Sequence, residues 1–264
     1  MAFRMKIVVA YLGAPFHGWQ RQRGQRTVQG ELERALSKCV GGSRITIMGA
    51  GRTDAGVHAS GQTAHCDLPG CIPPEKLVSS LNARLPLEIR VRSARPAGPG
   101  FHAQKSALGK LYTYRLRWRE RDLPWLDPRS AVIKPVADMD ALTTALTFLS
   151  GCRDWASFTV TNPASGSTVR TLYAVRMKTR RSGLHLEFVG DGFLRYQVRR
   201  MVGVLLEVGR RKKSLADLRS LLEDPSPGAS IQTAPATGLC LEKVYYGKPP
   251  FASLRSQSQR SEEG

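Results

Sequence analysis

Arg44-Ile-Thr-Ile-Met48-Gly49-Ala-Gly51-Arg52-Thr-Asp54-Ala-Gly56-Val-His58-Ala-Ser-Gly61-Gln62-Thr-Ala-His-Cys-Asp-Leu68 reads as a strand, a glycine loop and a second strand. Residues 44–48 and 62–68 have strand-like composition, and the loop between them holds four glycines, one arginine and one aspartate. Glycine at that density lets a backbone reach positive φ or come close to another chain or a ligand, at an entropic cost. A surface loop whose Asp and Ser only make turns has a similar composition. The stretch fixes a strand–loop–strand unit and leaves the purpose of Asp54 beside Arg52 to the rest of the chain.

Upstream, residues 5–12 form a strand, and residues 13–24 form a loop holding Phe16-His-Gly-Trp19-Gln-Arg21. Thr27 caps a helix running to about Val40, with Val28, Leu32, Ala35, Leu36 and Cys39 at helical spacing. Gly41 and Gly42 stop it. Downstream, Pro73 and Pro74 open a helix with Leu77, Leu81 and Leu85 on one face, ended by Pro86. Residues 88–94 alternate Ile89 and Val91 against Arg90 and Arg92, a half-buried strand. The order is β-α-β-β-α-β.

The second half repeats that order without obvious sequence identity. Residues 110–118 alternate, with Tyr112, Tyr114, Leu116 and Trp118 on one face. A helix over 138–149 rests on Leu142, Ala145, Leu146 and Leu149 and stops at Gly151. Residues 168–179 and 184–189 form a strand pair joined at Arg181-Ser-Gly183. A helix runs from about Phe193 to Val208, Ser214-x-x-Asp217 opens a short extra helix as a capping box, and residues 239–246 supply the last strand. Two such units in tandem predict an α+β fold of two ferredoxin-like (βαββαβ) halves, antiparallel sheets backed by helices, with a central cleft where ligand sites favour a junction. The halves are expected at 1–104, carrying the Asp54 loop, and 105–248. Residues 249–264 form a polar tail expected to be disordered.

Charge narrows the partner. Forty Lys and Arg against 21 Asp and Glu give the 264-residue chain a formal net charge of +19, which suits a polyanion. The basic residues are spread through the folded segments, so nucleic acid is favoured over a membrane surface, and the cleft is expected to be basic. No apolar run approaches the ~20 residues that span a bilayer. The strand-like sequence begins at once, so no signal or transit peptide is expected. The five cysteines form no C-x-x-C pair, and His65, Cys66 and Cys71 fit no zinc spacing. Reduced cysteines in a cytoplasmic protein follow. No dinucleotide fingerprint, P-loop, H-E-x-x-H or G-x-S-x-G pattern is present.

The run Gly51-Arg52-Thr-Asp54-Ala-Gly56-Val-His58-Ala59 resembles the catalytic signature of the TruA family of tRNA pseudouridine synthases. Phe16-His-Gly-Trp19-Gln and Thr27-Val-Gln-Gly-Glu-Leu32 resemble its N-terminal motifs. Phe101-His-Ala103 with Lys110-x-Tyr112-x-Tyr114 resembles its central motif. Val198-Arg199-Arg-Met-Val-Gly203 and Ala234-Pro-Ala-x-Gly238-Leu239 resemble its C-terminal ones. The resemblance covers nearly the whole chain, with the motifs in the family's order.

The resemblance implies a homodimeric, cofactor-free, metal-free isomerase that converts uridine to pseudouridine at positions 38, 39 and 40 of the tRNA anticodon arm. It implies Asp54 as the nucleophile, a role a carboxylate suits because it can form and release a covalent intermediate. Attack at C1′ and attack at the uracil ring both remain compatible with the sequence. Enclosing Asp54 beneath a flipped base raises its pKa, and a guanidinium at Arg199 lowers it by ~1–3 units in compensation. Tyr112, by pattern alone a core aromatic, is implied to stack on the uracil and handle its C5 proton. Leu239 is implied to contact the base from the other side, and Arg52 to hold a phosphate or wedge into the stem. Arg21, Arg23, Lys105, Lys110, Arg195 and Arg200 are candidate phosphate contacts or plain surface charge. Arg195 and Arg200 beside the Val198-Arg199 motif, and a short loop after Phe158, depart from the family and bear on substrate range. A non-catalytic RNA-binding protein would use the same basic cleft, but would not need the acid. A small-molecule enzyme on a ferredoxin-like scaffold sits badly with the charge.

Overall fold

The computed structural model describes residues 2–119, 127–160 and 166–247, and these form an α+β protein. The described residues separate into two units, one of residues 2–108 with Cys240–Tyr246 and one of Gly109–Leu239 with Gly247. Residues 161–165 of the loop after Phe158 and the tail at 249–264 lie outside the described residues.

In the first unit, β1 (Phe3–Tyr11) buries Met5, Ile7, Val9 and Tyr11 and turns the residues between them outward, the period-2 pattern of a pleated strand. It is followed by α1 (Val28–Cys39), β2 (Ile47–Gly49), β3 (His58–Leu68), α2 (Pro74–Asn82) and β4 (Ile89–Pro96), the predicted order. β1 lies between β3 and β4 and is antiparallel to both, with Ile7 opposite Ala64 and Ala94. The Thr27 side chain caps α1 by accepting the Gly30 N–H, and α1 buries Val28, Leu32, Ala35 and Leu36. α2 starts at Pro74 and packs Leu77 and Leu81 inward beside β4. It ends at Asn82, so Leu85 lies past the helix, in the turn that follows.

The glycine loop is shorter than its composition suggests. β2 runs into it through Gly49, and β3 begins within it at His58, with Ala59 opposite Tyr11. A further strand lies on that segment in parallel, pairing Cys240 with His58 and Leu241 with Ala59. The sequence pattern predicts that this last strand closes the second repeat, whereas Cys240–Tyr246 belong with the first unit.

The second unit is built on β5 (Gly109–Trp118), β6 (Ala131–Ile133), α3 (Met139–Thr147), β7 (Gly151–Asp154), β8 (Val169–Arg180), β9 (Gly183–Gly190), α4 (Gln197–Gly209) and α5 (Leu215–Glu223), and the last strand, β10 (Leu239–Tyr245), follows. β5, β9, β8 and β7 pair in that order, each antiparallel to the next, and β6 runs parallel to β5. Tyr112, Tyr114 and Leu116 of β5 are buried together with Leu184, Leu186 and Phe188 of β9. α3, α4 and α5 pack on one another, and Ser214 with Asp217 forms the expected capping box at α5. Sequence reading missed β6 and β7, which are three and four residues long, too short for an alternation to register. It also began α4 one turn early. Tyr196 takes a left-handed backbone conformation, φ 65°, so helical geometry cannot pass through it.

Candidate active site

Asp54 sits in the connection between β2 and β3, half-buried, between an exposed Arg52 and a buried Thr53. Thr53 is what fixes the loop. Its Oγ1 shares a buried hydrogen bond of 2.9 Å with the Tyr11 hydroxyl, and its carbonyl accepts the Trp19 N–H at 3.0 Å. The Asp54 carbonyl accepts the Val57 N–H at 3.1 Å, closing a turn. Gln62 Nε2 donates to the Gly51 carbonyl at 2.8 Å, and the Gly56 N–H points to the Phe16 carbonyl at 3.4 Å. His58 is buried, and its Nδ1 accepts the Gly13 N–H at 3.1 Å, a structural use of the imidazole. The Phe16–Trp19 and Arg52–His58 motifs therefore brace one another, and Asp54 is presented from a loop clamped on both sides.

The glycines serve that clamp. A Cβ on Gly49 would lie 2.6 Å from the Trp19 ring, and one on Gly61 would strike the backbone carbonyl of Glu242 on β10. The close approach anticipated from glycine density is made by the protein's own side chains and backbone. Burial lifts the Tyr11 phenol above its usual range, so it stays protonated as the partner of Thr53.

Arg21 is tied down on α1. Its N–H donates to Gln29 Oε1 at 3.0 Å, and its guanidinium lies 3.4 Å from Glu33 Oε2. Gln29 and Glu33 are themselves buried and bonded to the backbone of Ile47 in β2, which links α1 to the strand entering the Asp54 loop. Arg23 and Lys105 are exposed.

Within the second unit, Tyr112 is buried on β5 and meets Phe193 edge-on, with ring centroids 5.2 Å apart. Tyr114 is wholly buried and donates its hydroxyl to the Pro235 carbonyl at 2.5 Å, a core residue as its pattern indicated. Lys110 shares the Tyr112 face two residues earlier and is half-buried. Burial, with Arg170 adding to it and Asp191 opposing, pushes its ammonium down to about 8.

Arg199, the third residue of α4, is half-buried, and its Nε–H donates to the Ala234 carbonyl at 2.8 Å. The Ala234 N–H returns a bond to the Arg199 carbonyl at 3.1 Å. Leu239 is buried after a single 3₁₀ turn, Ala236–Gly238. The Val198–Gly203 motif and the Ala234–Leu239 motif are thus held to each other. No acidic residue occupies the first turn of α4, so the positive pole of the helix and Arg199 act together. That end suits an anion.

Arg200 departs from the expectation of a phosphate contact. It is buried, its Nη2 donates to the carbonyls of Ser157 (3.0 Å) and Ala229 (2.5 Å), and burial lowers its pKa. Arg195 is exposed, beside the Tyr196 ring. Sequence reasoning missed Tyr11, Thr53 and Tyr196. Thr53 lies inside the quoted motif, whereas the other two carry no local signal. Among the described residues no three His, Cys, Asp or Glu side chains gather as metal ligands, and no helix is long and apolar enough to cross a membrane.

Comparison with known proteins adds to this geometry. A family model described as tRNA pseudouridine synthase matches residues 7–104 and 145–247. The chain is 39% identical over 250 residues to tRNA pseudouridine synthase A of Shouchella clausii, across 95% of this chain and 96% of that protein. It is 40% identical over 249 residues to the protein of the same name from Maridesulfovibrio salexigens, across 93% and 91%. With that of Geobacillus kaustophilus the identity is 39% over 247 residues, across 93% and 95%.

Proposed function

The chain belongs to the tRNA pseudouridine synthase family, and from that premise we propose that it isomerises uridines 38, 39 and 40 of the tRNA anticodon arm, with Asp54 as nucleophile. The membership makes it a pseudouridine synthase, an isomerase that modifies tRNA. The reaction breaks the N1–C1′ bond, turns the uracil and joins C5 to C1′. N1 gains a proton and C5 loses one, so atoms and electrons balance without an oxidant, a reductant or water.

The observation that carries the reading is the braced loop. Thr53 is bonded through both its side chain and its carbonyl, and the half-buried Asp54 follows it directly. A nucleophile gains from such fixation because the reacting atoms must be held in line. Arg199 is the proposed partner that keeps Asp54 ionised under an enclosed base, and the positive end of α4 supports it. Tyr112 is proposed to stack on the flipped uracil and take its C5 proton, with Leu239 on the other side of the base. Arg52, Arg21 and Lys110 are proposed to hold the backbone of the substrate. In this reading the halves at 1–104 and 105–248 are ferredoxin-like and border a basic cleft. The enzyme acts as a cytoplasmic homodimer without a cofactor. The β-α-β-β-α-β order of the first unit and the net charge of +19 support the scaffold and its polyanionic substrate.

The test is to incubate the purified protein with unmodified tRNA transcripts carrying uridine at 38, 39 or 40 singly and to map pseudouridine by position. Conversion at these sites and nowhere else in the arm is expected. Conversion confined to another stem or loop would refute the assignment.

A further inference from the structure

Tyr196 is one of two residues other than glycine with positive φ among the described residues, at 65°. An aromatic side chain there is strained, because its Cβ crowds the backbone. Such strain persists only where the surroundings enforce it, and it gathers at functional sites. The position is also the N-cap of α4, yet Tyr196 makes no side-chain cap bond. Neither the backbone nor the helix end explains a tyrosine here.

Its ring does. The Arg199 guanidinium carbon lies 4.9 Å from the Tyr196 centroid and that of Arg195 lies 5.1 Å away, both within cation–π range. Arg199 and Arg195 lie close in sequence at the positive end of a helix, a place that disfavours cations. The ring face offsets this by offering both guanidinium groups a region of negative potential. One edge of the Arg199 side chain is set by the Nε–H bond to Ala234. The left-handed turn is what lets residue 196 reach back beside residue 199 before the helix begins.

We propose that Tyr196 is a positioning residue: its strained backbone places the ring so that Arg199 is held, between that ring and the Ala234 carbonyl, in the orientation the reaction needs. This rests on the reading of Arg199 as the partner of the nucleophile. A glycine or asparagine at 196 would suit the backbone better and lose the ring. Fold and activity should then move in opposite directions.

The experiment measures C5 tritium release from tRNA and thermal unfolding for the full chain and for Tyr196→Gly, Tyr196→Phe, Arg199→Ala and the Tyr196→Gly/Arg199→Ala double variant. For Tyr196→Gly, kcat should fall about tenfold or more with KM within about twofold, because an interaction of the transition state is lost. Its Tm should stay level or rise by a few degrees (roughly, from relief of backbone strain). Tyr196→Phe keeps the ring and should hold kcat within about twofold of the parent. In the Arg199→Ala background the glycine should cost no further activity, the non-additivity expected of residues that act through one another. Unchanged kcat in Tyr196→Gly beside an inactive Arg199→Ala would overturn this inference alone. An active Arg199→Ala would overturn the reading beneath it. A fall in kcat that tracks a fall in Tm would make Tyr196 merely structural and contradict the proposal.

Discussion

Thr53 shows how much of a site rests on residues that do no chemistry. The Tyr11 hydroxyl and the Trp19 N–H hold it from two sides, and Asp54 follows it in the chain. Tyr11→Phe removes one of these holds and leaves the buried Thr53 hydroxyl without that partner, a loss of about 1–3 kcal/mol. A lower urea midpoint with an unchanged slope is expected, together with a lower kcat. An unchanged midpoint would show that the Thr53 hydroxyl does not brace the loop. The place of Arg52 and Asp54 in the connection between two strands was legible in the sequence because they stand in a dense local motif. Arg200 was not. α4 is buried on most of its circumference, and the carbonyls that satisfy the Arg200 guanidinium come from Ser157 and Ala229. No spacing along a helix reveals acceptors that distant segments bring to it.

The elements that sequence read well are those whose pattern repeats along their length. β1, α1 and β5 each carry several periods of alternation or helical spacing, and each was found within a few residues. β6 and β7 have none to show, and the start of α4 depends on one backbone angle at Tyr196. The same elements explain why two C-terminal motifs occur together. Gly203 lets α4 come against the Gln232 carbonyl, where a Cβ would overlap it, and one turn earlier Arg199 exchanges bonds with Ala234. Gly203→Ala should force these segments apart at a cost of about 1–3 kcal/mol. It should also lower kcat by displacing Arg199. Calorimetry on the variant checks the first effect and tritium release the second. An alanine variant of parental Tm would show that the contact is loose.

At the scale of the whole molecule, charge pointed to a polyanionic partner, the order of the elements pointed to the α+β class, and family membership supplies the reaction. Pairing of β10 with β3 was not legible, because its register, Cys240 with His58 and Leu241 with Ala59, depends on two segments far apart in sequence. Gly61 was the trace of that pairing, and a glycine alone does not say what approaches it. The central proposal joins scaffold to chemistry: that the braced loop presents Asp54 to a flipped uridine. The most direct measurement is C5 tritium release from labelled tRNA by Asp54→Asn, taken beside its affinity for the same tRNA. Asparagine keeps the size and removes the nucleophilic oxygen, so release should vanish while the dissociation constant stays within about threefold of the parent, the loss falling on the transition state and not on binding. Release at the parental rate would contradict the account.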